Sequence, residues 1–108
     1  MKKNIVIKTS FPATHHWPEC PIEEVSFLRD EHRHVFHVTM KWQVDHNNRQ
    51  IEFIQQKMRV DEHLGLFYAN KALGRMSCED IAEALLKEFK ANYVSVFEDN
   101  ENGAEALK

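Results

Sequence analysis

Two histidines in the first half of the chain have the spacing of neighbours on one face of a β-strand. His32 and His34 lie two residues apart, and side chains at i and i+2 of a strand point to the same side. The same parity continues with apolar side chains only: Phe36, Val38, Met40, Trp42 and Val44. Imidazole is a common zinc ligand, and a catalytic zinc site needs three protein ligands. The pair therefore predicts part of a metal site.

The apolar face of an earlier strand ends in a third histidine. Residues 4–15 place on one parity the side chains Ile5, Ile7, Thr9, Phe11, Ala13 and His15. If this strand pairs antiparallel with the strand that begins at His32, His15 lies beside the histidine pair. Three imidazoles with a fourth position open to water or substrate are a recognised catalytic zinc arrangement. His16 is the alternative ligand, because a bulge at Pro12 would exchange the directions of the two side chains.

A carboxylate ends the last clear strand of the chain, residues 93–98. Val94 and Val96 share the parity of Glu98 and are expected to be buried. A carboxylate beside them needs a partner, and the donor groups of a bound ligand can provide one. The alternatives for Glu98 are a cap on the strand end or an ion pair with a lysine.

The strands and helices that position these residues do not alternate regularly. Strands are expected at residues 4–15, 32–45 and 93–98, and residues 49–53 are expected to return as the second strand of a hairpin. The loop 16–30 is expected to contain one helical turn around residues 22–27. This order favours an α+β fold with an antiparallel sheet over a doubly wound one.

The helices are expected in the second half of the chain. A short helix is predicted around residues 54–63. A stronger amphipathic helix begins after Ser77, whose hydroxyl can cap its N-terminus. Its apolar face consists of Ile81, Ala84, Leu85 and Phe89. The dipeptide Asn102-Gly103 predicts a hairpin turn near the end of the chain.

Length and composition indicate one domain spanning residues 1–108. The formal net charge of −3 and the scattered basic residues argue against a nucleic-acid binder. No apolar stretch approaches the roughly 20 residues that span a bilayer, and no signal peptide is evident, so a membrane partner is not expected. Cys20 and Cys78 lack CxxC spacing, which favours a reducing cytoplasmic location.

Five segments, in the right order, resemble motifs of the 6-pyruvoyl-tetrahydropterin synthase and 6-carboxy-tetrahydropterin synthase family, which has the tunnelling fold (T-fold). Phe11–His15 is similar to F-x-A-x-H, and His32–Phe36 is similar to H-G-H-N-Y. Ile51–Lys57 is similar to V-x-D-F-x-x-L-K at the start of the first helix. Ser77–Ala82 resembles T/S-x-E-N-L-A at the start of the second, and Val94–Glu98 resembles V-x-V-x-E.

The resemblance implies an antiparallel sheet with two helices on one face, assembled by several subunits into a homo-oligomeric barrel with pockets at the subunit interfaces. It implies a Zn²⁺ ion bound by His15, His32 and His34, and a reduced pterin whose ring is held by Glu98. An enzyme of this type would be a carbon–oxygen lyase of the 6-pyruvoyl-tetrahydropterin synthase kind.

The chain departs from the family at the groups that transfer protons. The family's cysteine, four to six residues before the H-x-H pair, is replaced by residues 26–28, Ser-Phe-Leu. Cys20 is the candidate catalytic cysteine, and His63, with Asp61, is the candidate for the family's Asp-His pair. The alternative is a non-catalytic T-fold relative that binds a purine- or pterin-like ligand or serves as an assembly module. A third possibility is an unrelated α+β domain with incidental histidines.

Overall fold

A four-stranded antiparallel sheet forms the centre of the protein. The computed structural model describes all 108 residues, and its strands lie in the order β1 (Lys3–His15), β2 (His32–Val44), β3 (Tyr93–Glu98) and β4 (Asn102–Leu107). The helices are α1 (Phe53–Phe67) and α2 (Cys78–Phe89), and a 3₁₀ helix, Glu23–Arg29, interrupts the loop between β1 and β2. The predicted α+β class with an antiparallel sheet is confirmed.

The two long strands β1 and β2 pair along their whole length. The register runs from Lys3 opposite Val44 to His15 opposite His32, without a bulge at Pro12. Alternate side chains therefore keep one face from end to end, as the apolar parity predicted.

Both α-helices pack on the apolar face of the sheet. Val60 and Leu64 of α1 and Ile81 and Leu85 of α2 are buried in one cluster. The strands contribute to the same cluster the buried side chains Ile7, Phe11, Phe36, Val38, Met40, Val94 and Val96. Burying a large apolar side chain is worth about 1.5–3 kcal/mol. The packing of this face against the two helices therefore holds the strands, and the residues at their ends, in place.

The predicted hairpin strand at residues 49–53 is wrong. Glu52 is instead the N-cap of α1, and its carboxylate accepts hydrogen bonds from the backbone N–H groups of Ile54 (2.8 Å) and Gln55 (3.2 Å). Two apolar residues at i and i+2 are weak evidence for a strand, and the capping hydrogen bonds of Glu52 favour the start of a helix instead. The helix is also longer than the predicted 54–63, because it continues through Gly65 to Phe67.

The last hairpin turns earlier than Asn102-Gly103. The turn lies at residues 99–101, with Asp99 (φ 53°) and Asn100 (φ 59°) in the left-handed region that Asp and Asn tolerate. Gly103 lies within β4, where an added Cβ would lie 2.0 Å from the backbone oxygen of Val96. The glycine therefore serves a close approach of two strands and not a turn.

The two outer strands of the sheet are β1 and β4, and Pro12 lies in β1, on an edge strand that tolerates the missing N–H of a proline. A segment after α1 covers the C-terminal end of β1: the N–H of Thr14 donates to the carbonyl of Lys71 (3.1 Å), and the N–H of Leu73 donates to the carbonyl of Thr14 (2.8 Å). The N-terminal part of β1 and the outer side of β4 have no strand beside them. No helix in the chain has the length and apolarity needed to cross a bilayer.

Candidate metal centre

The register of β1 and β2 brings three histidines together at one rim of the sheet. His15 lies opposite His32, and His34 follows on the same face. The ring centroids of His15 and His32 are 4.6 Å apart, those of His32 and His34 are 4.9 Å apart, and those of His15 and His34 are 5.4 Å apart. His16 is not part of the group of ligand atoms.

Glu98 enters the same cluster from β3. Glu98 lies opposite Phe36 in the register, and Phe36 follows His34 by two residues on the same face of β2. Its Oε2 is 2.9 Å from Nε2 of His15, and its Oε1 is 3.5 Å from Nε2 of His34. One ligand atom from each of the three histidines and from Glu98 lies within 4.8 Å of all the others.

The second nitrogen of each ring is held by an acceptor. Nδ1 of His15 lies 2.8 Å from the carbonyl oxygen of Met76, and Nδ1 of His32 lies 2.9 Å from the carbonyl oxygen of Asp30. Nδ1 of His34 lies 2.7 Å from Oδ2 of Asp99. A carbonyl or carboxylate oxygen only accepts, so each Nδ1 carries a proton, which in a neutral ring leaves the lone pair on Nε2. Histidines that ligate metals are oriented in this way.

The three Nε2 atoms are buried and have no hydrogen-bond partner. The 2.9 Å approach of Glu98 to His15 does not have hydrogen-bond geometry, and both atoms are acceptors once Nδ1 carries the proton. Buried polar atoms are rarely left unpaired, because the loss of hydration is costly. A divalent cation among these atoms would satisfy all of them. Three imidazoles and a carboxylate are a donor set that suits zinc.

Asp99 is a functional candidate that the sequence did not reveal. Besides His34, it accepts a hydrogen bond from the backbone N–H of Val35 (3.0 Å). The hydrogen bond from His34, followed by that from Val35, lowers the pKa of the Asp99 carboxyl below its usual value. Its position directly after Glu98, at the end of a strand that supplies a candidate ligand, is the signal that could have indicated it.

A cavity of about 430 Å³ opens beside the cluster. Its wall includes His15, His32 and Glu98 of the cluster, together with His16 and Trp17. The start of α2 completes the wall. This start is fixed by a capping box, in which Ser77 Oγ accepts from the N–H of Asp80 and the Asp80 carboxylate accepts from the N–H of Ser77, both at 3.1 Å. Sites for small molecules commonly have volumes of about 300–1,000 Å³.

Cys78, the first residue of α2, also lines this cavity. Its side chain is buried and lies beside the Glu98 carboxylate. Burial, and then the negative charge of Glu98, raise the pKa of the Cys78 thiol to about 12. Without a metal beside it, the thiol therefore stays protonated at neutral pH.

Cys20 and His63, the candidate catalytic residues, do not line the cavity. Cys20 is buried in the β1–β2 loop, where its thiol lies 3.7 Å from the carbonyl oxygen of Ile22. His63 lies on α1 with its Nδ1 3.8 Å from Glu88, and it lines a separate cavity of about 450 Å³. Within this chain the structure brings together the three histidines and Glu98, but neither of these two residues.

The fold and the cluster together define a T-fold protein with a three-histidine, one-carboxylate centre at the rim of its sheet. The structure is similar to that of 6-pyruvoyl tetrahydropterin synthase from Caenorhabditis elegans, with a TM-score of 0.74, 12% sequence identity, and coverage of 100% of this chain and 96% of that chain. An uncharacterized protein from Wolinella succinogenes is equally similar, with a TM-score of 0.74, 12% identity, and coverage of 100% and 99%. The predicted T-fold is thereby confirmed.

No protein-family model matches the sequence, and no curated protein matches it.

Proposed function

We propose that this protein binds zinc through His15, His32 and His34 and holds a reduced pterin, or a similar purine-like ring, in the adjacent cavity. The observation that carries the proposal is the set of three buried, unpartnered Nε2 atoms that converge while every Nδ1 is held by an acceptor. Bound zinc would supply a positive charge at the wall of the cavity.

The proposed ligand rests on the shape and lining of the cavity. About 430 Å³ is enough for a bicyclic ring, and the half-exposed indole of Trp17 offers a flat apolar wall. Glu98, which the family resemblance predicts to hold the ring, also lines this cavity. The printed name of the Caenorhabditis elegans neighbour adds support for a pterin.

The positions of Cys20 and His63 favour the non-catalytic form of this function, which is binding or assembly without turnover. A lyase would need groups that move protons beside the ligand, and neither residue lines the cavity. Their catalytic roles stay predictions. Turnover of dihydroneopterin triphosphate that is abolished in Cys20→Ala or His63→Ala would establish the lyase. Binding of a reduced pterin without turnover is the expected result.

Zinc content tests the proposal directly. We expect about one zinc ion per chain by elemental analysis after purification without chelators. Competition with a chromophoric chelator should show that His32→Ala lowers zinc affinity by more than the roughly 10–100-fold that loss of an outer-shell partner costs. His37→Ala is the matched control, because His37 lies on the same strand but on the opposite parity. Substoichiometric zinc together with unchanged affinity in His32→Ala would refute the proposed site.

A further inference from the structure

Both oxygens of Glu98 face the histidine cluster. Oε2 lies against Nε2 of His15 and Oε1 lies against Nε2 of His34. The backbone of Glu98 is fixed by its pairing with β2 and by the N–H of Glu101, which donates to its carbonyl at 3.0 Å. We infer that Glu98 is the fourth ligand of the metal and closes its coordination. This inference rests on the proposed zinc site.

Two separations between candidate ligand atoms are close to those of a four-coordinate site, and the four atoms all lie within 4.8 Å of one another. In a tetrahedral site with bonds of about 2.0–2.1 Å, neighbouring ligand atoms lie about 3.3–3.4 Å apart. The separations of the Glu98 oxygens from His15 (2.9 Å) and His34 (3.5 Å) lie on either side of that value. The carboxylate therefore occupies the position that a water molecule or a substrate oxygen would take in an open site.

The same geometry argues against Glu98 as the anchor of a ring. An anchoring carboxylate must turn its oxygens toward the donors of a bound ring, but the two Glu98 oxygens face Nε2 of His15 and Nε2 of His34, which carry lone pairs because the protons reside on Nδ1. Lone pairs that face a carboxylate at 2.9 and 3.5 Å repel it unless a cation lies between them.

A closed site changes what the metal does. Zinc with four protein ligands is typical of structural sites, whereas catalytic sites keep one position open. The ligands come from β1, β2 and β3, so the metal would join three strands at the rim of the sheet. A molecule in the cavity would then bind beside the metal and not to it.

Cobalt substitution distinguishes a closed site from an open one. We would record the visible spectrum of the full-length protein with Co²⁺ and add thiocyanate, a small anion that binds to open cobalt positions. The wild-type spectrum should not change at thiocyanate concentrations that saturate Glu98→Gln. Glu98→Gln should bind cobalt more than about tenfold more weakly, which is the lower bound for the loss of an outer-shell partner. It should also lose the rise in melting temperature that the metal gives the wild type.

Glu101→Gln is the matched control, because Glu101 lies in the same hairpin and outside the group of ligand atoms. It should bind cobalt like the wild type. A wild-type spectrum that shifts with thiocyanate, or a Glu98→Gln variant with unchanged affinity, would overturn the inference and leave the zinc site standing. A thiolate-to-cobalt charge-transfer band would assign the fourth position to Cys78 and overturn it as well. A wild-type protein that binds neither zinc nor cobalt would overturn both proposals.

Discussion

The directions of the three imidazoles depend on one acceptor behind each ring. For His15 and His32 that acceptor is a backbone carbonyl, of Met76 and Asp30 respectively, which no substitution removes. For His34 it is the side chain of Asp99. An ionised carboxylate behind an imidazole raises the basicity of the opposite nitrogen and strengthens its bond to a metal. Asp99 is therefore the one acceptor behind the three rings that a substitution can change, and so the residue through which the affinity of the centre for a metal can be tested.

Asp99→Asn should weaken zinc binding by about 10–100-fold, because a neutral amide is a weaker acceptor for His34 Nδ1. Asn is the appropriate replacement, since it tolerates the left-handed backbone at this position (φ 53°) and leaves the turn intact. A competition titration measures the change, and Glu101→Gln in the same turn should retain wild-type affinity. Equal zinc affinity in Asp99→Asn and the wild type would remove Asp99 from the metal centre.

At the scale of strands and helices, the elements with long periodic patterns were predicted correctly from the sequence. The alternation in β1 and β2 set which face His15, His32 and His34 share, and the antiparallel register then brought them together. The short pattern at residues 49–53 failed, because a single cap at Glu52 outweighed two apolar residues. The carbonyl partners of the histidines carry no side-chain signal, since every residue has a carbonyl. They could be identified only from the folded chain.

Replacing Gly103 and Gly65 by alanine should change the stability of the protein in opposite directions. Gly103→Ala would place a Cβ 2.0 Å from the Val96 oxygen, so β4 must move from β3, at a cost of at least about 1–3 kcal/mol in the free energy of unfolding. Gly65 lies within α1 with no atom within 4 Å of an added Cβ, and Gly65→Ala should stabilise by about 0.5–1 kcal/mol. Urea unfolding at one protein concentration measures both. A Gly103→Ala variant as stable as the wild type would contradict the close approach of the two strands.

At the scale of the whole molecule, the sheet has two edges that can complement each other. Successive strands are antiparallel, so β4 of one copy can lie antiparallel beside β1 of the next and continue the sheet head to tail. The covered end of β1 leaves a stretch near Lys3–Ser10, which is long enough for the six residues of β4. β1 carries Lys3 and Lys8, β4 carries Glu105, and Val6 and Leu107 are exposed apolar side chains on these strands. These features favour the proposed homo-oligomeric barrel.

The assembly can be tested by breaking either edge. Light scattering after size exclusion should give the wild-type protein a mass that is a multiple of 12.8 kDa. Val6→Asp and Leu107→Asp should each shift the mass toward the monomer, because the new carboxylate would lie against side chains of the neighbouring copy on the face of the sheet and lose hydration. Leu66→Asp is the control, since Leu66 is similarly exposed (59%, against 71% for Leu107) but lies on α1. A monomeric wild type would exclude the barrel. A loss of mass in Leu66→Asp alone would move the contact from the sheet edges to the helix.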